Sequence, residues 1–292
     1  MEISLSTTVV QQILNGMLTG SSYILIALGL TLIFGIYRVI NMAHGAFFMW
    51  GGYFGYLFST AWGLDPYVGT AMSMVVTGGL GIAVERFIFR PLQASPEWVL
   101  LVVGIGVYFT LENFGWIIQG PLPLHIHAHP TQVVFRFSGL YVNCQSLIIA
   151  GICVIMLGLL AFILWRTDIG RAMRAVSVNR EVARLVGISP NRVSMLVFFL
   201  SGAFAACAGC LVGSLTSVNP AMGFRPQLIA FIIVVFGGMG SIIGSVVGAL
   251  VVGVLQNLIA WAVTPKFSYT ITMLMLLLLF IVRPTGLFGE RS

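Results

Sequence analysis

Lysine is almost missing from these 292 residues: Lys266 stands alone beside thirteen arginines. A phosphate-cradling Gly-x4-Gly-Lys-Ser/Thr loop needs a lysine after its glycines, so the chain holds no such loop, and any ATP hydrolysis falls to another polypeptide. Charge of either sign is scarce. Charged residues total 8%, against roughly 25% in soluble domains, while hydrophobic residues reach 59%. A polar coat cannot be built from so little, so a polytopic membrane protein of all-α class is expected. The net charge of +6 does not point to nucleic acid. The arginines lie between hydrophobic runs and never form a continuous basic face, and positive-inside topology of cytoplasmic loops explains them better. Glu2 and the lack of a basic leader segment argue against a cleaved signal peptide. Cysteine is sparse as well. Cys207 and Cys210 form a C-x-x-C, but within Ser-Gly-Ala-Phe-Ala-Ala-Cys-Ala-Gly-Cys they read as a small-residue packing face rather than as redox or metal chemistry.

Hydrophobic runs cover about 9–36, 46–60, 67–89, 98–118, 145–165, 193–212, 228–262 and 269–282. The first is interrupted by Asn15, Gly16, Gly20, Ser21 and Ser22, and the seventh by Gly237-Gly-Met-Gly-Ser-Ile-Ile-Gly244. No βαβ pattern surrounds that glycine cluster, so it reads as close packing or a broken helix, not a nucleotide fingerprint. About eight to ten spans are expected in a single transmembrane domain over 1–292. The number turns on whether the Arg38 turn and the glycine break are full crossings or re-entrant folds. A polar, proline-rich external loop is expected at 119–143. There His125, His127 and His129 would share one face if the chain were extended, an arrangement that an ordinary loop explains as well as a metal does.

The segment 166–192 carries six of the fourteen basic residues. Ala172, Ala175, Val176, Val182, Ala183 and Val186 recur at helical spacing, while Arg171, Arg174, Arg180 and Arg184 fall largely off that stripe. Asn179 can cap a second short helix with Glu181 in its first turn, Gly187 can end it, and Ser189-Pro190 can start the next. Two short amphipathic helices between long apolar ones fit a docking element. A solvated loop whose arginines only set orientation fits too. Placing this segment inside also places Arg86, Arg90, Arg283 and Arg291 inside, so the C-terminus is expected in the cytoplasm.

Three stretches resemble the inner-membrane permease subunits of branched-chain amino acid ABC importers. The first is Gly-Leu-Thr-Leu-Ile-Phe-Gly-Ile-Tyr-Arg-Val-Ile-Asn-Met-Ala-His-Gly from Gly29 to Gly45. The second joins Gly170-Arg-Ala-Met-Arg-Ala-Val to Ala183-Arg-Leu-Val-Gly-Ile-Ser-Pro-Asn-Arg-Val193. The third joins Asn219-Pro-Ala-Met-Gly-Phe to the run from Phe236 to Gly248, and Arg283-Pro-Thr-Gly-Leu closes the chain. The resemblance spans nearly the whole length and favours the LivH-type subunit. It implies a second permease, two ATPases that bind the ATP and Mg, and a periplasmic or extracellular solute-binding protein. It implies, too, residence in a bacterial or archaeal cytoplasmic membrane and no cofactor or catalytic group in this chain. Under it, the 166–192 loop is a coupling element, with Arg171, Arg174, Glu181, Ala183, Arg184 and Gly187 as contact candidates.

Pathway candidates are Arg38, Asn41, His44, Glu112 and Asn113, polar residues within otherwise apolar runs. Relatives often carry Glu where Ala46 stands, Lys at Ile229 and an amide pair at Glu112-Asn113. The resemblance therefore leaves the solute open among apolar amino acids, urea, short amides and aromatic acids. Two readings from other classes are weighed against it. An autonomous channel or secondary carrier would concentrate acids at mid-membrane in paired broken helices, which this chain does not convincingly show. A membrane enzyme would need a nucleophile and base that the sequence does not supply.

Overall fold

The structure, a computed structural model, describes residues 5–37, 41–126, 133–137 and 139–282. Helix α1 (Leu5–Tyr37) and helix α8 (Pro190–Leu215) form the centre of a bundle. Their most apolar windows are 67% and 72% buried, against 22% each for α4 (Glu97–Gln119) and α5 (Cys144–Arg166). Outer helices with that much free apolar surface must meet lipid or another chain.

The small and polar residues expected to break α1 do not interrupt it. A Cβ on Gly16 or Gly20 would strike the backbone of α10 (Ile242–Ala262) at Val254 or Leu250, and one on Gly253 would strike Gly16 and Gly20. The glycines form the seam along which the two helices touch. Tyr23 donates to Gln256 at 2.6 Å and Asn257 to Thr19 at 3.2 Å, which satisfies the polar groups across the seam. A second seam joins α8 to α2 (His44–Tyr56), with Gly51 against Ala206 and Gly209 against the Phe48 carbonyl. Cys207 and Cys210 are free and buried there, and Cys210 donates to the Gly51 carbonyl at 3.0 Å. Close packing, as read from the sequence, is their role.

Helix α2 does not start at the membrane face. Its first residue, His44, bonds the Ile26 carbonyl at 2.9 Å, and Ile26 lies about three turns inside the end of α1. A π-turn, Leu57–Ala61, carries α2 onward to α3 (Pro66–Val84), whose Asp65 cap accepts from Tyr67 at 2.9 Å. The glycine break is a true interhelical turn. Helix α9 (Phe224–Gly237) ends where the Gly237 backbone abuts that of Gly244, and Gly238 and Gly240 take φ of +102° and +89°.

Among the described residues, seven helices are long and apolar enough to cross a membrane. Helix α2 with its π-turn and the last helix, α11 (Pro265–Val282), are the further long apolar elements of the bundle. The loop expected at 119–143 contains a hairpin, β1 (Val134–Phe137) antiparallel to β2 (Leu140–Asn143). Alternating aromatic and β-branched residues on either side of Gly139 carried that signal. The hairpin is pinned to the start of α1 by paired bonds between Gln11 and Tyr141, both 2.8 Å. His127 and His129 lie outside the described residues.

Candidate functional site

Opposite the hairpin, the arginine segment forms α6 (Asp168–Val178) and α7 (Arg180–Leu185). Thr167 accepts from the Gly170 N–H at 3.2 Å to start α6. Asn179 accepts from Glu181 at 2.9 Å and Val182 at 3.1 Å to start α7. Gly187, at φ +83°, follows the end of α7 in the left-handed region. Pro190 opens α8 as expected, but Ser189 makes no capping bond.

Gly170, Met173, Val176 and Ala183 face the bundle. Ala183, a contact candidate from the sequence, is therefore interior and offers no surface. Arg171, Arg174, Glu181, Arg184 and Gly187 are exposed, with Arg171 paired to Asp168 and Arg174 donating to the Leu164 carbonyl. The inward stripe read at Val182 and Val186 is also corrected. Helix α7 has barely two turns and only Ala183 turns inward. Val178, Val182, Leu185 and Val186 are 80%, 54%, 86% and 69% exposed, a bare apolar face ringed by arginines.

Beneath this protrusion sits a buried polar joint. Glu85, wholly buried in the π-turn Glu85–Phe89 that ends α3, accepts from Arg90 at 2.7 and 3.3 Å and from the Tyr37 hydroxyl at 3.0 Å. Gln93 donates to the same hydroxyl at 2.9 Å. From α7, the Arg180 guanidinium lies 5.0 Å over the Tyr37 ring and donates to Ser194 of α8 at 2.9 Å. One cluster thus ties α7 to the ends of α1 and α3 and to the start of α8, and the bond to Glu85 holds the Arg90 guanidinium pKa above its ordinary value. Sequence reading placed Arg90 on the inner side, just past the 67–89 run, and missed the cluster it forms with Glu85 and Tyr37. No spacing rule links residues so far apart in the chain.

The pathway candidates separate. Arg38 lies outside the described residues. Asn41 and His44 are fully buried. Asn41 accepts from the Ala43 N–H at 3.0 Å, and His44 bridges the Ile26 carbonyl and Ser201 at 3.0 Å, so both hold α2 in place between α1 and α8. Glu112 and Asn113 stand on the outer face of α4, about two turns before its end at Gln119. Asn113 is exposed and donates only to the Phe109 carbonyl of its own helix, at 2.7 Å. Glu112 is half-buried and lines a cavity of about 540 Å³ with Asn219, Met222, Phe224 and Arg225.

A bundle of membrane-length helices, with Glu112 and Asn113 on one outer face and an apolar patch bare on a basic protrusion, defines a multi-pass membrane protein. Comparison with known proteins narrows the class. Residues 12–282 match the family described as branched-chain amino acid transport system / permease component, and the chain belongs to that family. It is 32% identical to the high-affinity branched-chain amino acid transport system permease protein LivH of Escherichia coli K12, over 96% of this chain and 95% of that one. It is 34% identical to BraD of Pseudomonas aeruginosa with the same coverage, and 25% identical to a probable LivH of Methanocaldococcus jannaschii over 96% and 92%. A solved structure, PsaBC from Streptococcus pneumoniae in complex with Fab, shares the fold at a TM-score of 0.52 and 14% identity, covering 93% of this chain and 92% of that one.

Proposed function

We propose that this permease subunit pairs with a second permease in the cytoplasmic membrane to form the path of an ATP-driven importer for branched-chain or related apolar amino acids. The two ATPases bind ATP and Mg, and a solute-binding protein delivers from the hairpin side. In this reading α6 and α7 lie in the cytoplasm, as does the end of α11, and they dock on an ATPase. The carrying observation is the bare apolar face at Val178, Val182, Leu185 and Val186. Burying each such side chain stabilises a contact by about 1.5–3 kcal/mol, whereas an exposed ion pair yields about 0–1 kcal/mol. The valines and Leu185 thus supply affinity, and Arg171, Arg174, Glu181 and Arg184 supply orientation and partner choice. ATP binding then favours one of two permease conformations, and the Arg180–Tyr37–Glu85 joint carries the displacement of α7 into α1 and α3. The wall at Glu112 and Asn113 faces the path.

Exchanging Arg174 and Arg184 for Glu together is expected to abolish co-purification of the ATPase while the chain still inserts. Leu185→Asp alone is expected to weaken it at least as much. Pull-down with the ATPase unchanged in both variants would refute the docking role.

A further inference from the structure

The cavity between α4 and the start of α9 holds two opposite charges that no residue in the described structure neutralises. Glu112 enters it from α4 and Arg225 from the first turn of α9. Among the described residues the ion pairs are Glu85–Arg90 and Asp168–Arg171, and neither Glu112 nor Arg225 takes part in one. Arg225 makes a single ring contact, with its guanidinium 5.8 Å from the Tyr269 ring centre. The rest of the wall is largely apolar, with Phe109, Met222 and Phe224 beside Asn219. One turn below Glu112, the buried Tyr108 hydroxyl lies beside the Glu112 carboxyl and interacts with it, and the Tyr108 ring packs on Phe224 at 6.1 Å between centroids.

We propose that this cavity is a binding site for an apolar α-amino acid in its zwitterionic form, with Glu112 taking the ammonium, Arg225 the carboxylate, and the apolar wall the side chain. The charges select for the zwitterion. A cation would leave Arg225 unmatched, an anion would be repelled by Glu112, and a neutral solute would gain from neither charge. At about 540 Å³ the cavity lies in the range of small-molecule sites, about 300–1,000 Å³. The inference rests on the amino-acid importer reading and adds to it a place where the membrane part itself examines the solute.

The test uses the assembled transporter, permease pair with ATPases, in nanodiscs without the solute-binding protein. Binding of radiolabelled L-leucine is competed with isocaproate, which lacks the ammonium, and isoamylamine, which lacks the carboxylate. In the parent both analogues are expected to bind at least about tenfold more weakly than leucine, the loss of a charged hydrogen bond. Glu112→Gln is expected to weaken leucine about tenfold yet bind isocaproate at least as well as the parent does, since the repulsion is gone, and Arg225→Gln to weaken leucine likewise yet bind isoamylamine at least as well. Glu112→Asp and Arg225→Lys are expected to restore part of the leucine affinity. The site is overturned if the Gln variants bind leucine like the parent, or if they lose all three ligands equally or fail to assemble, the pattern of a packing or subunit-contact role. ATP-driven leucine uptake by the complete parent system is measured alongside. Uptake with an unchanged variant binding pattern refutes the site alone, whereas uptake of urea but no amino acid refutes the importer reading and the site with it.

Discussion

Glu85 shows how a single charge survives in this apolar chain. It is buried, but Arg90 meets both of its oxygens and the Tyr37 hydroxyl donates to one of them, so its desolvation is offset by three directed bonds. Removing the carboxylate would strand Arg90, whose side chain is 26% exposed, and would cut Tyr37 from the joint. Glu85→Ala is expected to lower stability by about 3 kcal/mol in reversible detergent unfolding, the low end for breaking a buried pair because Arg90 keeps some solvent. A change below about 0.5 kcal/mol would mean the joint carries no structural weight. Glu112 stands in the opposite condition. It has no charged partner among the described residues and interacts instead with the Tyr108 hydroxyl of its own helix.

Helix seams are set by side chains that are missing rather than by those present. Gly253 and Gly16 let α1 and α10 touch backbone to backbone, so even a methyl group has nowhere to go. Gly253→Ala is expected to cost about 1–3 kcal/mol through overpacking, read as a fall in melting temperature by tryptophan fluorescence. Gly106, on the outer face of α4, has nothing within 4 Å of the same added atom. There the change to Ala is expected to be neutral or to stabilise by up to about 1 kcal/mol, the helix-propensity gain. If both substitutions behaved alike, the seam would not be as tight as drawn. The same reasoning separates α6 from α7. Helix α6 buries Met173 and Val176, while α7 is too short to bury more than Ala183, and its remaining apolar residues stay free for a partner.

Across the bundle, the hairpin at Gln11 and Tyr141 marks one face, and α6 and α7 mark the other. Sidedness is open to a direct measurement. In a Cys144→Ser background, Leu122→Cys is expected to react with an impermeant maleimide on intact cells. Val178→Cys, in cells that express the chain without its ATPases so that the face stays open, is expected to react only after permeabilisation. Both positions are strongly exposed, so reactivity reports on side rather than on burial. Labelling in the reverse pattern would place the arginines outside and end the coupling proposal.

Composition and local patterning alone fixed the all-α membrane class, the absence of a nucleotide loop and the cap at Asn179, and marked Gly237–Gly244 as a place of close packing or a helix break. These follow from hydropathy, side-chain reach and glycine geometry within a few residues, and the order of motifs along the chain was enough to indicate the permease family. Tertiary structure decided the rest, because the deciding contacts join residues far apart in the chain. It showed Gly16 and Gly20 as a seam instead of a break, moved His44 and Ala183 into the interior, and left Leu185 bare. It also brought Tyr37, Glu85 and Arg180 into one joint and set Glu112 across a cavity from Arg225. A residue's own pattern says whether it can lie in a membrane, but only its packed neighbours say whether it faces protein, lipid or solute.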